Sequence, residues 1–483
     1  MTARRFPLMG KALALLAVTL GLLLALDAVS GLVKEREGRL REAEAAVADS
    51  LAGAQHLLGP VLQRVCVERW PATEGSGAER RQITQQHTEV VRVTPLHLGL
   101  QADARIETRH RGLFKIHGYA TQARLQAGFP ALGTMQPEPR HPGGSVGCQA
   151  PTLWVAVSDV RGIRQASVQL GGQPLTVQPG SGYDGQAAGF QAPLPESVLG
   201  STPLQAEVTL DLLGTASLAV APIGEQTEVQ LRSDWPHPSF AGRFLPTRHD
   251  VTEQGFQARW QLSALATSAA ARTLAGAAPC RLAPAAAAAE YPASATGAEG
   301  CVENFGVHFI DPVSPYVMSD RATKYGLLFI VLTFVGVGLV EVLRQLRVHP
   351  IQYLLVGCAI AMFFLLLVSL SEHLAFGIAY AAASAACTLL LGFYGRFVLH
   401  SLRGGLLFGA AVALLYASLY GLLMLEQSAL VLGSLGLFAV LAVVMAATRR
   451  IDWYALLGQW RSEAAPASPR PLAAADASAH PAS

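Results

Sequence analysis

Charged side chains are scarce in this chain. Asp, Glu, Lys and Arg make up 14% of its 483 residues, well below the share of about 25% that is usual in soluble domains. The deficit is local, because apolar residues are concentrated in one block near the N-terminus and five blocks in the last third. The net charge of +2 gives no reason to expect nucleic acid as a partner. This composition indicates an integral membrane protein with a large extramembrane domain.

The chain also has few motifs that carry chemistry. HExxH, a glycine-rich loop of the phosphate-cradling kind and a cluster of Cys and His ligands are absent. The nearest candidates are "GSGYDG" at residues 180–185 and the group Asp159, Arg161 and Gly162. A flexible turn and a charged strand end are the simpler interpretations of these two. We therefore predict no catalytic residue, no metal and no cofactor.

Six apolar stretches are long enough to cross a bilayer, which requires about 20 apolar residues per helix. They lie at residues 8–32, 325–343, 353–370, 374–395, 405–425 and 428–447. Ser371, Glu372 and His373 alone separate the third stretch from the fourth, and Glu426 and Gln427 alone separate the fifth from the sixth. Both pairs are therefore predicted to be tight hairpins. Residues 1–7 and 448–483 are the two predicted tails, the second disordered from about residue 462.

Basic residues in the short connections predict the orientation, because such loops stay in the cytoplasm. Three connections contain them, and the two hairpin turns contain none: Arg344 and Arg347, Arg396 and Arg403, Arg449 and Arg450. Both termini are therefore expected in the cytoplasm of a bacterial inner membrane. The alternative for the first stretch is a cleaved signal peptide. Its length, and the near-heptad series Leu40, Val47, Leu51 and Leu58, favour an uncleaved anchor helix that continues beyond the membrane.

Residues 33–323 are predicted to form a mainly-β periplasmic domain. Segments such as "TEVVRVTPLHLGLQADARIETRH" and "AEVTLDLLG" alternate polar and apolar residues, and Gly-rich turns separate them. This pattern favours a sandwich-like antiparallel architecture. An alanine-rich stretch at residues 264–300 is predicted to be a mobile insert.

Four of the six cysteines lie in this domain, in a compartment where disulfides persist. They are Cys66, Cys148, Cys280 and Cys301, and they allow three connectivities. One of these closes the insert with Cys280 and Cys301 and leaves Cys66 with Cys148.

The segment "SDWPHPSFAGRFLP" at residues 233–246 combines aromatic, proline and histidine residues in one loop. Trp235, His237 and Phe240 are candidates for partner binding, and a rigid structural corner is the alternative. Glu372 and His373 are a candidate titrating pair on a hairpin turn, for which a structural turn is the simpler interpretation.

Several long motifs resemble the CreD family of inner-membrane proteins. They include "SDWPHPSFAGRFLP", "GFQARW", "DRATKYGLLFIVLTF", "HPIQYLLVG", "LSEH", "RRIDWYAL", "VSDVRGI" and "LLGPVL", in the family's order. The resemblance covers residues 10–456, and the insert, the periplasmic cysteines and the tail depart from it. It implies a role in envelope stress, β-lactam response and colicin tolerance under a two-component regulator, with no agreed catalytic residues.

Two functions follow as hypotheses. The preferred one is a non-enzymatic envelope-maintenance protein that lies in the lipid bilayer and binds an unknown envelope component or protein partner through its periplasmic domain. The alternative is a membrane enzyme acting on lipid or cell-wall precursors, with Asp234, His237, Glu372 and His373 as acid and base groups. The sequence leaves the oligomeric state open.

Overall fold

The structure is a computed structural model that describes residues 7–74, 81–112, 114–200, 202–282, 300–309, 315–344, 348–425 and 429–449. The chain divides into a helical unit, Met1–Glu37 with Val313–Ser483, and a β unit, Gly38–Pro312. The predicted fold class, six membrane-crossing helices with a β-rich region, is confirmed.

The described helices are α1 (Pro7–Ser50), α2 (Ala269–Leu274), α3 (Pro315–Lys324), α4 (Gly326–Arg344), α5 (Pro350–Ser371), α6 (Phe376–Val398), α7 (Leu402–Met424) and α8 (Ala429–Thr448). All except α2 and α3 are long and apolar enough to cross a membrane. Helix α1 continues beyond the predicted first span, as the sequence suggests, but it ends at Ser50. Leu58, the last residue of the near-heptad series, lies in the strand that follows, Gln55–Glu74.

Small residues allow the membrane helices to pack closely, as is usual where lipid and protein are equally apolar. A Cβ atom at Gly357 of α5 would lie 2.1 Å from Cδ1 of Leu22 in α1, so the leucine occupies the space beside the glycine. Helices α6 and α7 meet at Gly392 and Gly409, where a Cβ atom at Gly409 would lie 3.3 Å from the Cα of Gly392.

Two ion pairs join α1 to other segments of the helical unit. Lys11 pairs with Glu341 of α4, and the Glu341 carboxylate also accepts a hydrogen bond of 2.8 Å from the Tyr353 hydroxyl. At the other end of the membrane part of α1, Arg36 Nε lies 3.4 Å from Glu372 Oε1. Charges near a bilayer are costly unless paired, so these contacts satisfy groups that would otherwise destabilise the bundle.

Seventeen strands are present among the described residues: β1 (Gln55–Glu74), β2 (Arg81–Val93), β3 (His97–Arg111), β4 (Phe114–Phe129), β5 (Ser145–Cys148), β6 (Thr152–Val157), β7 (Ile163–Leu170), β8 (Gln173–Leu175), β9 (Gln178–Pro179), β10 (Gly189–Pro193), β11 (Leu204–Thr215), β12 (Ser217–Val220), β13 (Gln226–Ser233), β14 (Pro238–Gly242), β15 (Arg248–Thr252), β16 (Gly255–Ser263) and β17 (Phe305–Phe309). A nine-stranded sheet has the order β14-β17-β12-β1-β6-β10-β9, with β2 and β5 also paired to β1. An eight-stranded sheet has the order β15-β16-β13-β3-β4-β11-β7-β8.

Both sheets are mixed, which corrects the expectation of a purely antiparallel domain. Strand β1 pairs with β12 in parallel, and β3 pairs with β13 in parallel. The partners in each pair are far apart in sequence, so a tight hairpin does not dictate their direction.

The core of the β unit contains side chains from both sheets. Leu100, Ala102 and Ala104 of β3 are at most 3% exposed, whereas the alternate residues of that strand point to solvent. The largest buried side chains of this unit include Trp154, Trp260, Tyr119, Phe129 and Phe305.

Two disulfides are present, Cys66–Cys148 and Cys280–Cys301. The first joins opposed residues of β1 and β5. The alanine-rich stretch is more ordered at its start than predicted, because α2 buries Ala269 and Thr273. Residues 283–299 of that stretch, the turn at 426–428 and the tail from residue 450 lie outside the described residues.

Candidate functional site

The outer face of the eight-stranded sheet has a groove of about 850 Å³. Strand pairing aligns Arg232, Asp103, Gln122 and Asp211 in one row across β13, β3, β4 and β11. Their side chains point away from the core because buried residues alternate with them along each strand. We call the surface lined by this row and its neighbours the outer groove.

Further rows and a bulge extend the outer groove. Gln257 and Asp250 continue the first row on β16 and β15. In the next row, Arg105 is paired with Ala120 of β4, and both line the groove. A shift of register between β11 and β7 leaves Arg164 without a partner residue in the ladder, and such bulges re-aim the extra side chain.

Six charged side chains of the outer groove have no hydrogen-bond or ion-pair partner within the described part of the chain. They are Asp103, Asp211, Asp250, Arg105, Arg164 and Arg232. Two pairs of charged residues outside the groove are joined: Arg124 with Glu207 at 3.3 Å, and Arg259 with Glu228 at 2.7 Å. The unpartnered set contains three acids and three arginines, and the two other acids of the lining have partners: Glu107 pairs with Arg109 at 2.7 Å, and Asp234 accepts a hydrogen bond from the Ile106 amide.

This arrangement suits recognition of a polar ligand that carries both signs of charge. Guanidinium groups bind carboxylates through two parallel hydrogen bonds, and the aspartates accept hydrogen bonds from amines. Gln122 and Gln257 line the same groove, and each amide both donates and accepts.

Of the predicted partner-binding residues, Trp235 and His237 lie in the connection between β13 and β14. Asp234, immediately before them, borders the outer groove, and its Oδ1 accepts a hydrogen bond of 2.9 Å from the Ile106 amide. Trp235 is half-buried, and its Nε1 donates to the His237 carbonyl at 3.0 Å. The His237 side chain is exposed.

Phe240, the third of these residues, lies in β14 and packs against the core. Its ring centroid is 5.7 Å from that of Phe256 and 5.8 Å from that of Trp260. The segment therefore forms an aromatic corner beside the outer groove. A role for its residues in partner binding stays a prediction.

The Asp159 turn is a structural junction. The Arg161 side chain donates hydrogen bonds to both oxygens of the Asp159 carboxylate, at 2.9 Å to Oδ1 and 2.6 Å to Oδ2. These bonds lower the pKa of Asp159 to about 2, although burial alone would raise it. A Cβ atom at Gly162 would lie 2.2 Å from the Leu213 carbonyl oxygen, so only glycine fits there.

The "GSGYDG" loop is likewise held by packing. Tyr183 stacks on Trp154 with ring centroids 4.5 Å apart, and its hydroxyl donates to the Ala277 carbonyl at 2.6 Å. Asp184 pairs with Arg92 at 2.9 Å. Burial raises the pKa of Tyr183 to about 12.

One GxSxG pattern occurs in the chain, at residues 143–147. Ser145 begins β5 and pairs with Arg69 of β1. A nucleophile elbow requires a strand that turns into a helix, and here a turn leads into a strand. The pattern therefore does not form a hydrolase site.

The residues of the enzyme alternative are divided between the two units. Asp234 and His237 belong to the β unit, whereas Glu372 and His373 belong to the helical unit. The Glu372 carboxylate is 3.4 Å from Arg36, and Asp234 binds a backbone amide. Glu372 and His373 form no hydrogen bond or ion pair with each other in the described residues, and their titration as a pair stays a prediction.

Comparison with known proteins identifies the family. A family model described as inner membrane protein CreD matches residues 7–454. The chain belongs to the CreD family. A relative named inner membrane protein CreD, from Escherichia coli (strain K12), is 34% identical over 450 residues, which cover 93% of this chain and 94% of the relative. With its six candidate membrane spans, this CreD-family chain is a multi-pass inner membrane protein.

The outer groove of this CreD-family protein is not predicted by any motif in the sequence. Its charged residues come from five strands, and among the strands that supply the central row only β3 and β4 are neighbours in the sequence. The polar residues that alternate with the apolar ones along each strand could have indicated this surface. In β3 they include Gln101, Asp103 and Arg105.

Proposed function

We propose that this protein supports the integrity of the cell envelope by binding an envelope component in the outer groove, with its β unit in the periplasm. The observation that carries the proposal is the set of six unpartnered charges of both signs in one concave surface. Charges that have no partner within the protein do not stabilise the sheet through ion pairs, and they can pair with complementary charges of a ligand.

The short membrane connections support the orientation. Arg344 ends α4, Arg396 lies in the last turn of α6, and Arg403 lies in the first turn of α7. The turn between α5 and α6 contains Glu372 and no Lys or Arg. Because basic short loops remain in the cytoplasm, both termini are cytoplasmic. A reporter that fluoresces only in the cytoplasm, fused after residue 449, should be bright, and a dark fusion would reverse the orientation.

We further propose that the protein acts by binding rather than catalysis. No His, Cys or Lys occurs among the described residues that line the outer groove, so its lining offers carboxylates and arginines but none of the common general bases of neutral pKa. The envelope role agrees with what the resemblance implies, and the groove supplies a surface for it.

The test is complementation of a strain that lacks the native protein. Arg164→Gln and Asp211→Asn each remove one unpaired charge from the groove, and Arg124→Gln removes a paired charge just outside it. At equal protein abundance in the membrane, the groove variants should lose resistance to β-lactams and envelope stress, and the control should keep it. Full function in both groove variants would overturn the proposal.

A further inference from the structure

We propose that the ligand of the outer groove is a short zwitterionic peptide, with free carboxylates and a free amine, of the chemical class of cell-wall stem peptides. This inference rests on the proposed function and adds the ligand's chemistry to it. Two features of the groove carry it: the arrangement of the arginines, and the row of acids next to them.

Arg105 and Arg164 lie on opposite sides of a low floor. Arg105 is on β3 and Arg164 is on β7. Ala120 of β4 pairs with Arg105, and Leu213 of β11 pairs with Ala120, so these two residues form the floor between the arginines. At a strand spacing of about 4.8 Å, the two arginine backbones are separated by roughly 14 Å. Ala120 is small, so the floor leaves space for a group between the two guanidiniums. The bulge at Arg164 directs this side chain towards the floor.

Asp103 and Asp211 lie in the next row, on either side of Gln122. Two residues along a strand correspond to about 7 Å, so positive and negative rows are neighbours on the same surface. One amino-acid unit with a free carboxylate and a free amine can engage both rows. Arg232, in the acidic row, adds a second carboxylate position.

Other envelope ligands fit the groove less well. A polyanion would meet three unpaired aspartates, and a polycation would meet three unpaired arginines. A neutral glycan would offer the six charges hydroxyl hydrogen bonds but no opposite charge, and hydrogen bonds between two charged groups are the stronger kind. The aromatic ring among the described lining residues, Phe256, is 3% exposed, so the groove offers sugars no stacking surface.

The experiment uses the full chain purified in detergent and isothermal titration with the stem tripeptide L-Ala-γ-D-Glu-meso-diaminopimelate. Three further probes are the same peptide with amidated carboxylates, the same peptide with acetylated amines, and a neutral chitin oligosaccharide. Wild type, Arg164→Gln, Asp211→Asn and the control Arg124→Gln are compared after their melting temperatures show that all are folded.

We expect wild type and the control to bind the tripeptide equally, and each groove variant to bind it at least about tenfold more weakly, as for loss of a charged hydrogen bond. Amidated peptide should bind wild type and Arg164→Gln alike, because the arginine has lost its carboxylate. Acetylated peptide should bind wild type and Asp211→Asn alike, because the aspartate has lost its amine.

No binding of the tripeptide, equal binding of the chitin oligosaccharide, or equal weakening by Arg124→Gln would overturn the ligand assignment. If the groove variants lose envelope function while the tripeptide does not bind, the ligand class is wrong and the proposed function stands. If the variants lose tripeptide binding but retain envelope function, the groove binds such peptides and the proposed function fails.

Discussion

Arg161 and Asp159 form a doubly hydrogen-bonded ion pair where α1 gives way to the first strand of the β unit. The same carboxylate accepts a hydrogen bond of 3.0 Å from the Gly53 amide, and Arg161 Nη1 donates to the Asp49 carbonyl in the last turn of α1. Basic side chains near a helix C-terminus satisfy carbonyls that lack partners within the helix. A single turn therefore anchors both the end of the helix and the chain that leaves it.

Asp159→Asn should destabilise the protein at neutral pH by about 2 kcal/mol, the scale of a hydrogen bond to a charged group. The folded-state pKa of about 2 is below the ordinary value of 3.8, so the folded state favours the carboxylate. Its contribution is complete above pH 4 and is lost as the pH falls from 4 towards 2. Thermal melting of wild type and variant should therefore converge over that range.

Asp211→Asn is the matched control for the pH measurement. Its carboxylate has no partner among the described residues, so this variant should melt like wild type at pH 7 and at pH 2. A difference between Asp159→Asn and wild type that is equally large at pH 7 and pH 2 would contradict the pH prediction.

Gly162→Ala should prevent stable folding of the β unit. The new Cβ atom would lie 2.2 Å from the Leu213 carbonyl oxygen and 2.4 Å from Gln55 Nε2, and a buried backbone atom cannot move away. We expect a loss of more than about 4 kcal/mol, as for severe core disruption, measured as lost membrane abundance and protease sensitivity. Gly133→Ala, with no atom within 4 Å of the new Cβ, should behave as wild type. Normal abundance of Gly162→Ala would show that this junction is looser than the structure has it.

The sequence predicted the parts of the fold that depend on local patterns. Apolar length is enough to predict six spans, and polar–apolar alternation is enough to predict which side of β3 faces the core. The sheet order was beyond reach, because the parallel pairing of β3 with β13 joins segments more than 100 residues apart. The outer groove depends on that pairing, which places Arg232 beside Asp103.

The segment around Trp235 shows the opposite limit. Its composition suggested a site, but aromatic and proline residues serve equally well in a rigid corner, and only the packing of Phe240 on Trp260 distinguishes the two. Composition reports which side chains are present and not which surface they face.

Phe240→Ala should therefore lower stability by about 2 kcal/mol, less than for a fully buried phenylalanine, because the ring is half-buried among Phe256 and Trp260. Trp235→Ala should have a smaller effect, and His237→Ala should leave membrane abundance and melting temperature unchanged. Abundance and envelope phenotype are measured together. If His237→Ala keeps abundance and loses function, the exposed histidine is a contact residue, and the view of this segment as a corner is incomplete.

The crossing of α6 and α7 can be tested with two glycines of the same helix. In Gly409→Leu, the new side chain would enter the space where the Cα of Gly392 lies 3.3 Å from the added Cβ atom. In Gly421→Leu, the added Cβ atom has no neighbour within 4 Å. Because close approach at small residues holds membrane helices together, Gly409→Leu should lower the melting temperature in detergent by several degrees, whereas Gly421→Leu should not. Equal melting of both variants would mean that the packing of α6 on α7 does not depend on this contact.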